Sequence, residues 1–123
     1  PERGRSAFAR IIGADADNIA IVPAVSYGVS LAARNIPLKK GKRILLLAEE
    51  FPSSVYAWRR AAEKSGAIID TVPYPQDGDW TGALLSAIDE TAGVVCVPHC
   101  HWTDGSRVDL VKIGAACREA GAA

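Results

Sequence analysis

Three short stretches hold the residues whose types and spacing could do chemistry. The first is Val22-Pro23-Ala24-Val25-Ser26-Tyr27-Gly28, which joins an apolar run to a helical pattern. The first turn of a helix carries unpaired N–H groups and the positive end of the helix dipole. Small residues there let a phosphate approach, and Ser26 can add a hydroxyl donor. The competing reading is an ordinary strand-to-helix turn with Ser26 as an extra cap. The second stretch is Glu49-Glu50-Phe51-Pro52-Ser53-Ser54, directly after the most apolar run. An aromatic ring at that place can stack on a planar ligand, or it can fill the core under a sheet edge.

The third stretch, Pro98 to Ser106, is rich in polar and aromatic groups. Cys96, His99, Cys100 and His101 bring zinc to mind. The spacing is poor for it, because in extended chain His99 and His101 face one way and Cys100 the other. There is no C-x-x-C, and only Cys117 remains as a distant ligand, so no metal site is expected. A Cys100–His101 nucleophile pair fails similarly, since sequence neighbours seldom face each other productively. Asp104-Gly105 reads as a turn. Arg107 could bind a carboxylate, but a solvated arginine is the commoner case. Arg59 and Arg60 read as a solvated helix face. Neither G-x-G-x-x-G nor G-x-x-x-x-G-K-[ST] occurs, so a dinucleotide or ATP domain loses support.

The elements that must position these stretches alternate between helical and strand periods. A helix is expected over Pro1–Ile12, with Phe8, Ile11 and Ile12 on one face and Gly13 as its stop. Asp15 to Asn18 is turn chemistry, and Ile19 to Val22 reads as a short strand. A second helix spans Val25–Asn35, with Val25, Val29, Ala32, Ala33 and Ile36 on one face. Arg43 to Ala48 is the clearest buried strand; it lacks alternation, as expected when both faces of a parallel sheet are covered. Ser53 or Ser54 is expected to cap the next helix, whose inner stripe is Val55, Trp58, Ala62 and Ser65. Ala67–Val72 is a strand. Thr81 is expected to cap a helix reaching Asp89, with Leu84, Leu85 and Ile88 inward. Gly93–Val97 is a strand, and Asp109 caps a last helix carrying Leu110, Ile113, Cys117 and Ala120 on one face. Strands separated by helices imply crossover connections and a mainly parallel sheet. Ligands of such sheets bind outside the carboxyl ends of the strands. That selects the loops 23–27, 49–54 and 98–106.

Composition sets bounds. The chain has 123 residues, about one domain, with 14 basic and 14 acidic side chains. Zero net charge gives no electrostatic reason to expect nucleic acid or an anionic membrane as partner. Three cysteines, an odd count, suit a reducing cytoplasm better than a disulfide framework. No apolar run approaches the roughly 20 residues of a membrane span, and no signal peptide stands at the start. The chain opens on Pro1 and stops at Gly121-Ala122-Ala123, where a strand would follow; it is expected to be a piece of a larger protein.

The order of the pieces carries a resemblance. Asn18-Ile19-Ala20-Ile21 through Ser26-Tyr27-Gly28-Val29-Ser30-Leu31-Ala32 resembles the turn and helix of class V aminotransferase-like proteins. Glu50-Phe51-Pro52-Ser53-Ser54-Val55-Tyr56-Ala57-Trp58 resembles their next landmark, especially in the kynureninase and isopenicillin N epimerase-like branches. Pro98-His99-Cys100-His101-Trp102-Thr103-Asp104-Gly105 with Val108-Asp109-Leu110 resembles a third. The resemblance implies a three-layer αβα sandwich with a mainly parallel sheet: residues 1–123 of an incomplete fold-type I large domain, with the downstream half and the small domain outside this chain. It implies pyridoxal phosphate as cofactor, an amino-acid substrate, lyase, epimerase or transaminase chemistry, and a homodimer. Ala24, Val25 and Ser26 would hold the cofactor phosphate, and Phe51 would stack on the pyridine ring. His101, Trp102 and Thr103 would occupy the loop facing the cofactor's phenolic oxygen and the substrate.

Departures matter here. Desulfurases commonly carry asparagine where Trp102 stands and histidine where Phe51 stands. The aspartate that pairs with the pyridine nitrogen and the Schiff-base lysine have no counterparts among these residues, so no catalytic residue is assigned and the chain alone is expected to be inactive. The alternatives are a cysteine desulfurase or selenocysteine lyase, and a non-catalytic α/β binding domain.

Overall fold

The computed structural model describes residues 1–123. Its elements run α1 (Glu2–Ile12), a 3₁₀ turn (Ala16–Asn18), α2 (Val25–Asn35), β1 (Arg43–Leu47), α3 (Pro52–Ser65), β2 (Ile68–Val72), α4 (Trp80–Ala87), β3 (Ala92–Val95) and α5 (Leu110–Ala120). No helix is long and apolar enough to cross a membrane.

The run Ile44-Leu45-Leu46-Leu47 explains the architecture. All four side chains are fully buried, so both faces of β1 need cover. β1 lies between β2 and β3, parallel to each, in the order β2-β1-β3. Ile44 and Leu46 pack on one side with Trp58, Ala62 and Val94, and Val29, Ala32 and Ala33 of α2 join them. Leu47 packs on the other side with Val72, Trp80, Leu84, Val108 and Ile113. Helices α2 and α3 therefore cover one face and α4 and α5 the other. The result is three layers around a parallel sheet. Gly93 is an extra residue against β1, where the register shifts between Arg43 and Ile44. A Cβ there would come within 3.0 Å of Lys42 Cβ, so only glycine fits the bulge without displacement.

Arg43 ties the amino edge of the sheet together. Its guanidinium pairs with Asp70 of β2, with Asp89 at 2.8 Å, and donates to Ala87 O at 2.7 Å and to Thr91 Oγ1 at 2.6 Å. The Thr91 hydroxyl, and then Arg43, hold the Asp89 carboxyl down at about 2.

The structure corrects several expectations. Ile19 to Val22 is not a strand. Ile19 is extended, at φ −102° and ψ 119°, but no neighbour offers a ladder. The outer edge of β3 is taken by Ala123, whose N–H donates to Gly93 O at 3.1 Å and whose carbonyl accepts from Val95 N at 2.8 Å. Neither Ser53 nor Ser54 caps α3. The helix starts earlier, with Pro52 in its first position and Phe51 as N-cap, because proline's fixed φ suits that place. Asp79, not Thr81, caps α4, its carboxylate accepting the Gly82 N–H at 3.0 Å. Thr81 instead accepts the Asp109 N–H at 3.0 Å. Helix α4 ends at Ala87 rather than Asp89. Val25, Leu85 and Leu110 point outward, as do Phe8, Ile11 and Ile12. Asp109 caps α5 as expected, accepting from Val111 and Lys112 N–H groups.

Two stability predictions follow. Leu46→Ala should cost about 2–5 kcal/mol, read by urea unfolding. Asp89 has a depressed folded-state value, so its stabilisation is present above about 4 and is lost as pH falls towards 2. Asp89→Asn should flatten the acid limb of the stability–pH curve over that window.

Candidate functional site

The carboxyl ends of the three strands open into the loops 48–51, 73–79 and 98–109. Their side chains interlock. His101 is only 1% exposed. Its Nε2 lies 3.0 Å from Ala48 O. A carbonyl can only accept, so Nε2 carries the hydrogen. In the neutral ring Nδ1 is then the acceptor, and the Thr103 hydroxyl donates to it at 2.8 Å. The ring stacks on Trp80, with centroids 5.0 Å apart and planes at 15°. His101 is a pillar between the β1 and β3 loops, with both nitrogens engaged inside the chain.

Trp102 and Phe51 meet above it. The Trp102 indole N–H donates to Glu49 O at 2.6 Å. Its ring meets Phe51 at 5.5 Å, with planes at 86°. Phe51 is 46% exposed and Trp102 is 58% exposed, so both offer aromatic surface at the sheet end. The structure thus brings together four expected residues, Phe51, His101, Trp102 and Thr103, through the segment that leaves β1.

Ala24, Val25 and Ser26 form a separate patch at the start of α2. Ala24 is extended at φ −161° and ψ 157°, and no side chain caps the helix. The Tyr27 and Gly28 N–H groups turn back onto Ala24 O at 3.1 and 3.3 Å. The N–H groups of Val25 and Ser26 have no intrahelical acceptor. Ser26 also lines a shallow cavity of about 390 Å³ that runs to Arg34. No ring contact or side-chain hydrogen bond joins this turn to the Phe51–Trp102 pair. A second cavity of about 380 Å³, between α2 and α3, is lined by none of the expected site residues.

Several participants have no role assigned by the sequence. Tyr74 donates its phenol to Asp104. That bond, with the Ser106 N–H at 2.8 Å, holds the Asp104 carboxyl at about 2. The same bond pushes the Tyr74 phenol up. Asp104 is therefore more than a turn residue. The carboxyl-end rule could have found Tyr74, since its loop follows β2. Glu50 is buried, and Glu49 sits at φ 55°; no pattern marks either. Cys96 packs beside the α2–α3 core, and burial pushes its thiol up. Cys100 is exposed, and the His101 ring is committed elsewhere, so the two do not form a nucleophile pair. Arg107 pairs through its backbone with Cys100 and leaves its side chain in solvent.

Residues 2–123 match the family model for aminotransferase class-V. The chain belongs to the class V aminotransferase family. It is 28% identical over 98% of its length to the Bacillus subtilis protein YcbU, named an uncharacterized aminotransferase, of which it spans 32%. It is 26% identical over 98% of its length to a probable cysteine desulfurase of Methanothermobacter thermautotrophicus, of which it spans 30%. A solved C-DES mutant, with glycine covalently linked to its PLP cofactor, superposes with a TM-score of 0.84 at 24% identity. That match covers 96% of this chain and 31% of the other. The class V chain thus has the fold-type I architecture and spans about a third of the relatives it matches.

The Tyr74–Asp104 bond can be read directly. In Asp104→Asn the Tyr74 phenol should fall back towards 10.0. An ultraviolet pH titration should then show one tyrosine ionising earlier than in the parent; an unchanged titration would show that Asp104 does not hold the Tyr74 phenol.

Proposed function

We propose that residues 1–123 are part of the cofactor-binding large domain of a pyridoxal-phosphate enzyme. Its substrate is an amino acid, and its chemistry is of the lyase, epimerase or transaminase kind. The observation that carries the reading is the match of residues 2–123 to the class V family.

The residues present fit the cofactor at two points. The uncapped start of α2 offers the N–H groups of Val25 and Ser26, the Ser26 hydroxyl and the positive end of a helix dipole. Ala24 has only a methyl there, which leaves the approach open. These suit a phosphate dianion. Phe51, half-exposed and backed edge-on by Trp102, suits a planar ring. When bound, the cofactor supplies an electron sink for bonds at the amino acid's α-carbon. Val25 and Ser26 would bind and orient its phosphate, and Phe51 would set the ring plane and keep water from one face. Trp102 has given its indole N–H to Glu49 O, and His101 and Thr103 have bonded to each other. These three therefore contribute shape and rigidity to the reading rather than a free hydrogen-bond donor.

We take the full-length protein as a cytoplasmic homodimer, in keeping with the family resemblance and with three free cysteines. A desulfurase reading is favoured by the Methanothermobacter relative and opposed by Phe51 standing where desulfurases commonly have histidine.

The test uses the full-length protein. Purified with pyridoxal phosphate, it should show a visible absorption band that borohydride abolishes. Ser26→Ala and Phe51→Ala should each raise the cofactor Kd about tenfold, the equivalent of ~1.4 kcal/mol. Unchanged affinity in both variants would reject these residues as the cradle. A protein that stays colourless at any cofactor concentration would favour a non-catalytic α/β binding domain.

A further inference from the structure

Glu50, at 8% exposure, is the one carboxylate in the molecule that is more than nine-tenths buried. It forms no ion pair. Its Oε1 accepts the Phe51 N–H at 2.7 Å, and its Oε2 is buried without a partner. A buried carboxylate without a counter-charge is disfavoured. The residue before it adds a second cost. Glu49, at φ 55°, is the only non-glycine residue in the left-handed region, where a side chain strains the backbone. Two unfavourable choices stand side by side at the carboxyl end of the central strand. Neither contributes packing to the two apolar clusters. Such features tend to persist where function holds them.

Their common effect falls on Phe51. Helix α3 has no side-chain cap, and Phe51 is its N-cap residue. The Phe51 carbonyl accepts from the Ser54 and Val55 N–H groups at 2.9 and 3.3 Å. The Glu50 carboxylate takes the Phe51 N–H, a charge-assisted bond. Trp102, tethered to Glu49 O, meets the ring edge-on. Phe51 is thereby fixed at its N–H, its carbonyl and its ring. The Glu50 bond is the only one of the three that needs a buried carboxylate.

We propose that Glu50 is the positioning residue for Phe51: its buried carboxylate fixes the Phe51 backbone so that the half-exposed ring stands ready for a planar ligand. The inference rests on the pyridoxal-phosphate reading for the identity of that ligand. The bond to Phe51 itself does not depend on it.

The experiment is a thermodynamic cycle in the full-length protein with Glu50→Ala, Glu50→Gln, Phe51→Ala and the Glu50→Ala/Phe51→Ala pair. Two readouts are taken: amide hydrogen exchange at residue 51 without cofactor, and the Kd for pyridoxal phosphate. The Phe51 amide should exchange at least about tenfold faster in Glu50→Ala, while Glu50→Gln, which keeps an acceptor oxygen, should retain most of the protection. Glu50→Ala should weaken cofactor binding about tenfold in the parent and not at all in the Phe51→Ala background. Equal weakening in both backgrounds would overturn the proposal, since Glu50 would then act independently of Phe51. Unchanged exchange in Glu50→Ala would overturn it too. Where Glu50→Ala fails to fold, the Glu50→Gln cycle decides, with a smaller loss that must again vanish without the Phe51 ring. A parent that binds no pyridoxal phosphate defeats the cofactor reading, and the exchange rates still decide whether Glu50 holds Phe51.

Discussion

The burial of Ile44 to Leu47 on both faces is the constraint on which the rest depends. A strand with no polar face cannot lie at a surface. It must have neighbours on both edges and helices on both sides. Each requirement is met by a different part of the chain. β2 and β3 pair with its edges, α2 and α3 cover one face, and α4 and α5 the other. Parallel pairing then sends every strand's end to the same side. The loops 48–51, 73–79 and 98–109 converge there because the core leaves them nowhere else to go.

Convergence alone would leave those loops loose. Side chains from one loop bond to the backbone of another. His101 reaches Ala48 O and Trp102 reaches Glu49 O, so two consecutive residues of the β3 loop grip two consecutive carbonyls of the β1 loop. Tyr74 adds the β2 loop through Asp104. The opposite edge of the sheet is tied by Arg43 to Asp70, Asp89 and Thr91. One end of the sheet is thus held by an arginine and its carboxylates, and the other by aromatic rings and hydrogen bonds, among them that of Tyr74 to the Asp104 carboxylate. The aromatic end is the one that presents ligand-sized surface.

The sheet was legible in the sequence because its signal is local. An unbroken RILLL run, glycines at helix ends and apolar residues at helical spacing each point to one element. The class V resemblance was legible for the same reason, in stretches that sit where strands end. What failed depended on partners. Ile19 to Val22 has the composition of a strand, but pairing is a property of two segments. Ser53 and Thr81 are good caps in isolation, and lost to Pro52 in the first position and to Asp79. The resemblance places His101 in a loop facing a ligand, and nothing in the sequence pattern shows that Trp80 stacks on its ring. Glu50 could not be singled out, since a buried carboxylate and an exposed one are spelled alike.

The three indoles of the molecule are unevenly placed. Trp58 and Trp80 are sealed in opposite cores, one on each side of the sheet, while Trp102 stands in solvent against Phe51. Their emission should therefore separate by colour. The two inner rings give a blue-shifted signal that reports whether each layer is packed. The outer ring gives a red-shifted one that reports on what rests against Phe51. A molecule so built carries its own optical probes for folding and for occupancy, and the two can be followed in the same cuvette without a label.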